Sequence, residues 1–96
     1  MDDALSLPAR FDSAAAKSCA EALLALRGRP VTIDARAVIH AGALAVQALI
    51  AGRRQWLADG AGFRLTAASA GLLDCCRILG VDPTEIGADP GTGAMS

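Results

Sequence analysis

VTIDARAVIHAGALAVQALIAGRRQWL, residues 31–57, is the stretch from which the fold is read. Its apolar start, Val31 to Ile33, lies between Pro30 and Asp34 and predicts a short buried strand. Residues 35–40 form a loop that leads into an Ala- and Leu-rich helix expected over residues 41–58. In that helix Val46, Leu49, Ile50 and Leu57 recur at helical spacing, which directs them to a core. Arg53 projects close to the same stripe, so either it snorkels at an edge or the phase of the helix is off by about half a residue step. A strand feeding a helix start is a common place for binding, because the first backbone N–H groups are unpaired and the dipole favours negative charge there.

Upstream, Ala4 to Leu7 is short and partly apolar and ends at Pro8, as an edge strand would. Asp12 or Ser13 caps a helix running to about Arg27. Ala15, Cys19, Ala22, Leu23 and Leu26 form its apolar stripe, Lys17, Glu21 and Arg27 face water, and Gly28 closes it. Downstream, Asp59-Gly60-Ala61-Gly62 breaks the central helix, and Phe63, Arg64 and Leu65 alternate as a strand. Ser69 caps a helix to about Leu79, with Leu72, Leu73, Cys76 and Leu79 inward, and Gly80 ends it. Val81 to Ile86 is expected as a last short strand or a turn around Asp82-Pro83. Residues 87–96, small and rich in Gly and Pro, are expected as a flexible tail beyond a domain of residues 1–86.

The resulting order alternates strand and helix, which gives right-handed crossovers and a mainly parallel sheet. The expected fold is a small two-layer α/β domain with three or four strands and about three helices.

The totals narrow the function. A chain of 96 residues holds one modest core. A net charge of −1 offers no electrostatic footprint for nucleic acid or a membrane surface. No apolar run approaches the roughly 20 residues of a membrane span, so no membrane insertion is expected. The first 15 residues lack a basic start followed by an apolar block, so no signal peptide is read. Cys19, Cys75 and Cys76 are odd in number and lack metal-ligand spacing, which points to a reducing, cytoplasmic setting and no metal. Adjacent cysteines on a helix point about 100° apart, so Cys75 and Cys76 are poor partners for one metal or bridge. They are expected as small core hydrophobes with at most one exposed thiol.

Chemistry finds little purchase. His40 is the sole histidine, and Ser69, Asp34 and Cys19 lie on other elements, so no triad can be assembled from the sequence. Gly60 and Gly62 lack the spacing and Lys of a phosphate loop. No enzyme and no cofactor are expected. Binding remains. At 100° per residue, Leu44, Ala48 and Ala51 lie opposite the core stripe, with Gln47 and Gln55 beside them. A strip of one Leu and small residues suits close approach of a partner helix. Trp56 is expected at the edge of the core.

The strand, the loop and then His40-Ala41-Gly42-Ala43-Leu44, followed by Ala45 and Val46, resemble STAS domains, the anti-sigma-factor antagonists and their relatives. In that family an acid-Ser-Ser-Gly-Leu sequence opens the helix. The resemblance extends as a pattern of elements from Leu5-Ser6-Leu7 through Asp12 to Gly80-Val81. It implies a non-catalytic protein-interaction module of bacterial cytosolic signalling, present as a monomer or weak dimer. On this alignment the phosphorylatable Ser falls on Gly42 and the acid on His40, making Gly42 a degenerate phosphosite. No Ser, Thr or Tyr lies between Thr32 and Thr66. The implied docking residues are His40, Ala41, Gly42, Leu44, Ala48 and Ala51. Partner settings implied by the family are a chemotaxis-type histidine kinase, which is preferred, a partner-switching pathway for a sigma factor, or the small STAS subunit of a lipid-transport ABC complex. From another class, a small-molecule or nucleotide binder would use the helix N-terminus at Gly42.

Overall fold

The computed structural model describes residues 3–88. Along the chain run β1 (Asp3–Ser6), β2 (Arg10–Phe11), α1 (Ser13–Ala25), β3 (Val31–Asp34), β4 (His40–Ala41), α2 (Ala43–Asp59), β5 (Phe63–Thr66), α3 (Ala70–Leu79) and a 3-10 helix, Pro83–Ile86. The strand read at Val31 is the middle of a three-stranded parallel sheet of order β1-β3-β5. Its register places Leu5, Ile33 and Leu65 side by side. A second parallel pair joins β2 to β4, Arg10 opposite His40 and Phe11 opposite Ala41. These two-residue strands are too short to show alternation in the sequence, and they bind the start of α2 to the start of α1.

Burial alternates along β3, with Val31 and Ile33 inside and Thr32 and Asp34 half-buried. That is the period of a strand with one face on a core. The fully buried large side chains are Phe11, Val31, Ile33, Val46, Leu49, Leu65, Leu72 and Ile86, joined by Cys76. Burying each aliphatic or aromatic side chain contributes roughly 1.5–3 kcal/mol. Helix α1 adds Ala16, Cys19 and Leu23. Asp12 caps α1 by accepting the Ala15 N–H at 3.0 Å, and Ser69 caps α3 by accepting the Leu72 N–H at 3.2 Å. Gly60 and Gly80 end α2 and α3 at φ 71° and 73°, the left-handed conformation a side chain resists.

The structure corrects several expectations. Helix α2 begins at Ala43, because Gly42 is its extended N-cap and His40 and Ala41 pair with β2. Leu57, expected in the core, is 59% exposed. Its inward place is taken by Trp56, which is buried well beyond the core edge. The indole N–H donates to the Arg29 carbonyl at 2.8 Å, and the ring meets Phe63 edge-on at 5.8 Å between centroids. The buried stripe is therefore Ala45, Val46, Leu49 and Trp56, with Ile50 only partly buried and Arg53 half-buried. In so Ala-rich a helix the hydrophobic contrast that fixes the phase is weak. Leu79 is exposed, since Gly80 turns the chain and Val81 packs on the core instead. The segment around Asp82-Pro83 is the 3-10 helix, closed by a capping box in which Asp82 accepts the Thr84 N–H and Glu85 accepts the Asp82 N–H. Gly87 and Ala88 carry structure: the Gly87 carbonyl accepts the Leu65 N–H at 3.0 Å, and Ala88 is buried. The tail expected over residues 89–96 lies outside the described residues.

Candidate docking site

The candidate site is the passage from β3 to α2, and its backbone is held on two sides. On one side the Ile39 and His40 N–H groups donate to the Ala9 carbonyl at 2.8 and 3.1 Å, and the Gly42 N–H donates to the Phe11 carbonyl at 3.0 Å. On the other side the Cys75 thiol donates to the Ala41 carbonyl at 2.9 Å. Gly42 has φ −92° and ψ 165°, extended backbone open to any residue, and no side chain caps α2. No heavy atom lies within 4 Å of a Cβ built on Gly42, so the position is open.

The expected docking residues divide by burial. His40 is exposed, Gly42 half-buried and Leu44 62% exposed, so these three present a surface at the helix start. Ala41 is buried under the loop and offers its backbone, not its side chain. Ala51 is exposed, and Ala48 is half-buried on the side of α2 that meets α1. There, Ala48 and Ala51 share a shallow apolar groove of about 290 Å³ with Ala20, Leu24, Gly52 and Gln55, floored by Trp56. The sequence reading missed Ile39, which is 78% exposed beside His40. A large apolar residue outside every periodic stripe was the available signal.

The side chains considered as partners for His40 are engaged elsewhere. Asp34 accepts the Arg36 backbone N–H at 3.0 Å and pairs with its guanidinium, which together hold its carboxyl below the ordinary range. Ser69 caps α3, and Cys19 is buried, its thiol pushed up by desolvation. None of these groups hydrogen-bonds His40 among the described residues. Burial also pushes Cys76 up to about 11, with smaller contributions from Cys75 and Glu85. Cys75 is half-buried. Among the described residues no three His, Cys, Asp or Glu side chains gather as a metal site, and no helix is long and apolar enough to cross a membrane. The α1–α2 groove, and a second cleft between β1 and α1 lined by Leu5, Leu7, Pro8, Ala15 and Cys19, are not lined by His40 or Gly42.

A chain with this parallel strand–helix order is matched by a family model. The model described as "Mlab, STAS domain" matches residues 1–86, and the chain belongs to the STAS domain family. Domains of this family generally serve protein–protein interaction. No curated protein and no solved structure matches the chain.

Proposed function

We propose that this STAS domain is a non-catalytic docking module for a protein partner in the bacterial cytoplasm. The partner is a histidine kinase of the chemotaxis type, and docking is not switched by phosphorylation at the start of α2. One observation carries the reading. Around an N-cap with no side chain, Ile39 and His40 stand exposed on a loop pinned to two other elements, with Leu44 exposed in the first turn of α2 beside them. A pre-organised apolar surface loses little entropy on binding, so it suits a constitutive contact. Gly42 cannot carry a phosphate, so the roughly two negative charges a phosphoserine adds are absent from that point. The kinase setting rests on the resemblance to short Ala-rich STAS proteins without the serine.

A second setting, the small STAS subunit of a lipid-transport ABC complex, is favoured by the Mlab description of the matching family. Both settings use the same surface. Purification of the tagged chain from its native cells, with identification of what accompanies it, separates them. Recovery of a histidine kinase supports the first setting and of a transporter ATPase the second. Equal recovery with Leu44→Asp would remove the surface from both.

A further inference from the structure

We propose that Gly71 and Cys75 of α3 are positioning residues for the docking loop, holding Val38 to Ala41 in the shape a partner reads. This rests on the docking function proposed above. The two residues lie one helical turn apart and therefore on one face of α3. Each meets a different part of the same loop backbone. At Gly71 the helix comes so close that a Cβ would collide with the Ile39 carbonyl oxygen, and would lie 2.7 Å from its carbon and 3.1 Å from the Val38 oxygen. At Cys75 the thiol donates to the Ala41 carbonyl at 2.9 Å. That carbonyl belongs to a residue only 4% exposed, so water is a poor substitute for the thiol.

The opposite side of the loop is held by backbone N–H groups donating to Ala9 and Phe11, bonds that any sequence could make. The α3 side depends on residue type, because it requires no side chain at Gly71 and a donor at Cys75. Desolvation, with the Asp74 charge second, pushes the Cys75 thiol up, which keeps it protonated as a donor. The core anchors of α3, Leu72 and Cys76, lie on a neighbouring face and leave Gly71 and Cys75 to the loop. Neither positioning residue needs to touch the partner. They act through Ile39 and His40, whose exposure depends on where the loop lies.

Residue-level hydrogen exchange tests this without a partner. Cys75→Ala should speed exchange at Ile39, His40 and Gly42 by about tenfold, the consequence of one lost hydrogen bond, while Ile33 in the central strand keeps its rate. Cys75→Ser retains a donor and should restore the loop to within about twofold of wild type. Gly71→Ala should loosen the same amides further. Unchanged loop exchange in Cys75→Ala, or equal acceleration at Ile33, overturns the proposal. The docking reading is scored separately, by capture of the kinase or ATPase recovered with wild type. A loosened loop with undiminished capture keeps the positioning role and removes the docking surface.

Discussion

Helix α2 follows β4 of the two-stranded pair and helix α3 follows β5 of the three-stranded sheet, and the two helices are stabilised in different ways. Helix α3 carries its own signals: Ser69 caps its start, Arg77 lies in its last turn, where the dipole favours a cation, and Gly80 closes it. Helix α2 has no side-chain cap, no acid in its first turn and no base in its last. It ends on Asp59, a carboxylate where the dipole is unfavourable. Apart from its Gly60 C-cap, what holds α2 is tertiary: Ala45, Val46 and Leu49 sealed in the core, the Trp56 indole on Arg29, and Asp59 clasped by Arg27 at 3.0 Å. A helix held by packing can leave its first turn chemically plain, and here Ala43 and Leu44 of that turn face outward while Ala45 and Val46 face the core. The difference teaches that the bare start of α2 is compatible with folding because core packing, beginning at Ala45 and Val46, carries the burden that a cap would share.

The largest effect should come from attacking that packing. Leu49 is fully buried, so Leu49→Asp places an unpartnered carboxylate in the core at a cost of several kcal/mol and should abolish the cooperative thermal transition. A near-normal transition would mean that α2 is not held by its core face. Next is the phase of the stripe. Trp56→Ala should cost about 3–5 kcal/mol, whereas Leu57→Asp, on a residue 59% exposed, should stay within about 0.5 kcal/mol of wild type by denaturant melts. The reverse order would rotate α2 back to the phase read from its leucines.

That phase marks where the sequence stops being legible. The three long strands and three helices were readable because Val31-Thr32-Ile33 and Phe63-Arg64-Leu65 alternate or cluster, and because Asp12, Ser69, Gly60 and Gly80 punctuate them. Helix α2 was readable as a helix but not in its rotation. Ala lies on every face, and the choice between Trp56 and Leu57 was settled by an indole hydrogen bond to a residue 27 positions away. The strands β2 and β4 escaped notice because two residues carry no period. At the candidate site, Gly42 and Leu44 were visible from their place at a helix start. The burial of Ala41 and the exposure of Ile39 were not, since both follow from pairing with Phe11 and contact with α3.

Removing the local signal of α3 should have a moderate effect. Ser69→Ala leaves the Leu72 N–H without its acceptor and should cost about 1 kcal/mol in a urea melt. No measurable loss would show that α3, like α2, is held by packing alone. At the far end of α2, acid should loosen the clasp. The Arg27 hydrogen bond, then Gln55, holds the Asp59 carboxyl below the ordinary aspartate range. A depressed folded value means that the stabilisation is present above about pH 4 and is lost as the pH falls through the folded value. Asp59→Asn should therefore flatten part of the acid limb of stability against pH. An unchanged limb would assign acid sensitivity to Asp34 and Asp82, which are also held low.

The smallest change in stability is expected at Gly42, where the comparison is sharpest. The position is an N-cap with extended backbone and open space around it, so a side chain enters without strain or collision. Ser and Asp are among the best N-caps, and either exceeds Gly there by only a few tenths of a kcal/mol. Gly42→Ser and Gly42→Asp should thus fold normally and melt at or slightly above wild type. If this helix start is the docking surface, the two should part in binding: Ser nearly neutral, Asp markedly weaker, because a fixed charge at a docked apolar surface must be desolvated. Calorimetric titration against the partner recovered from native cells reads that difference. Equal affinity for both folded variants would place the docking surface away from the start of α2. A loss of stability in both would instead show that the bare cap is required by the fold, and that the plainness of α2 has a structural cause.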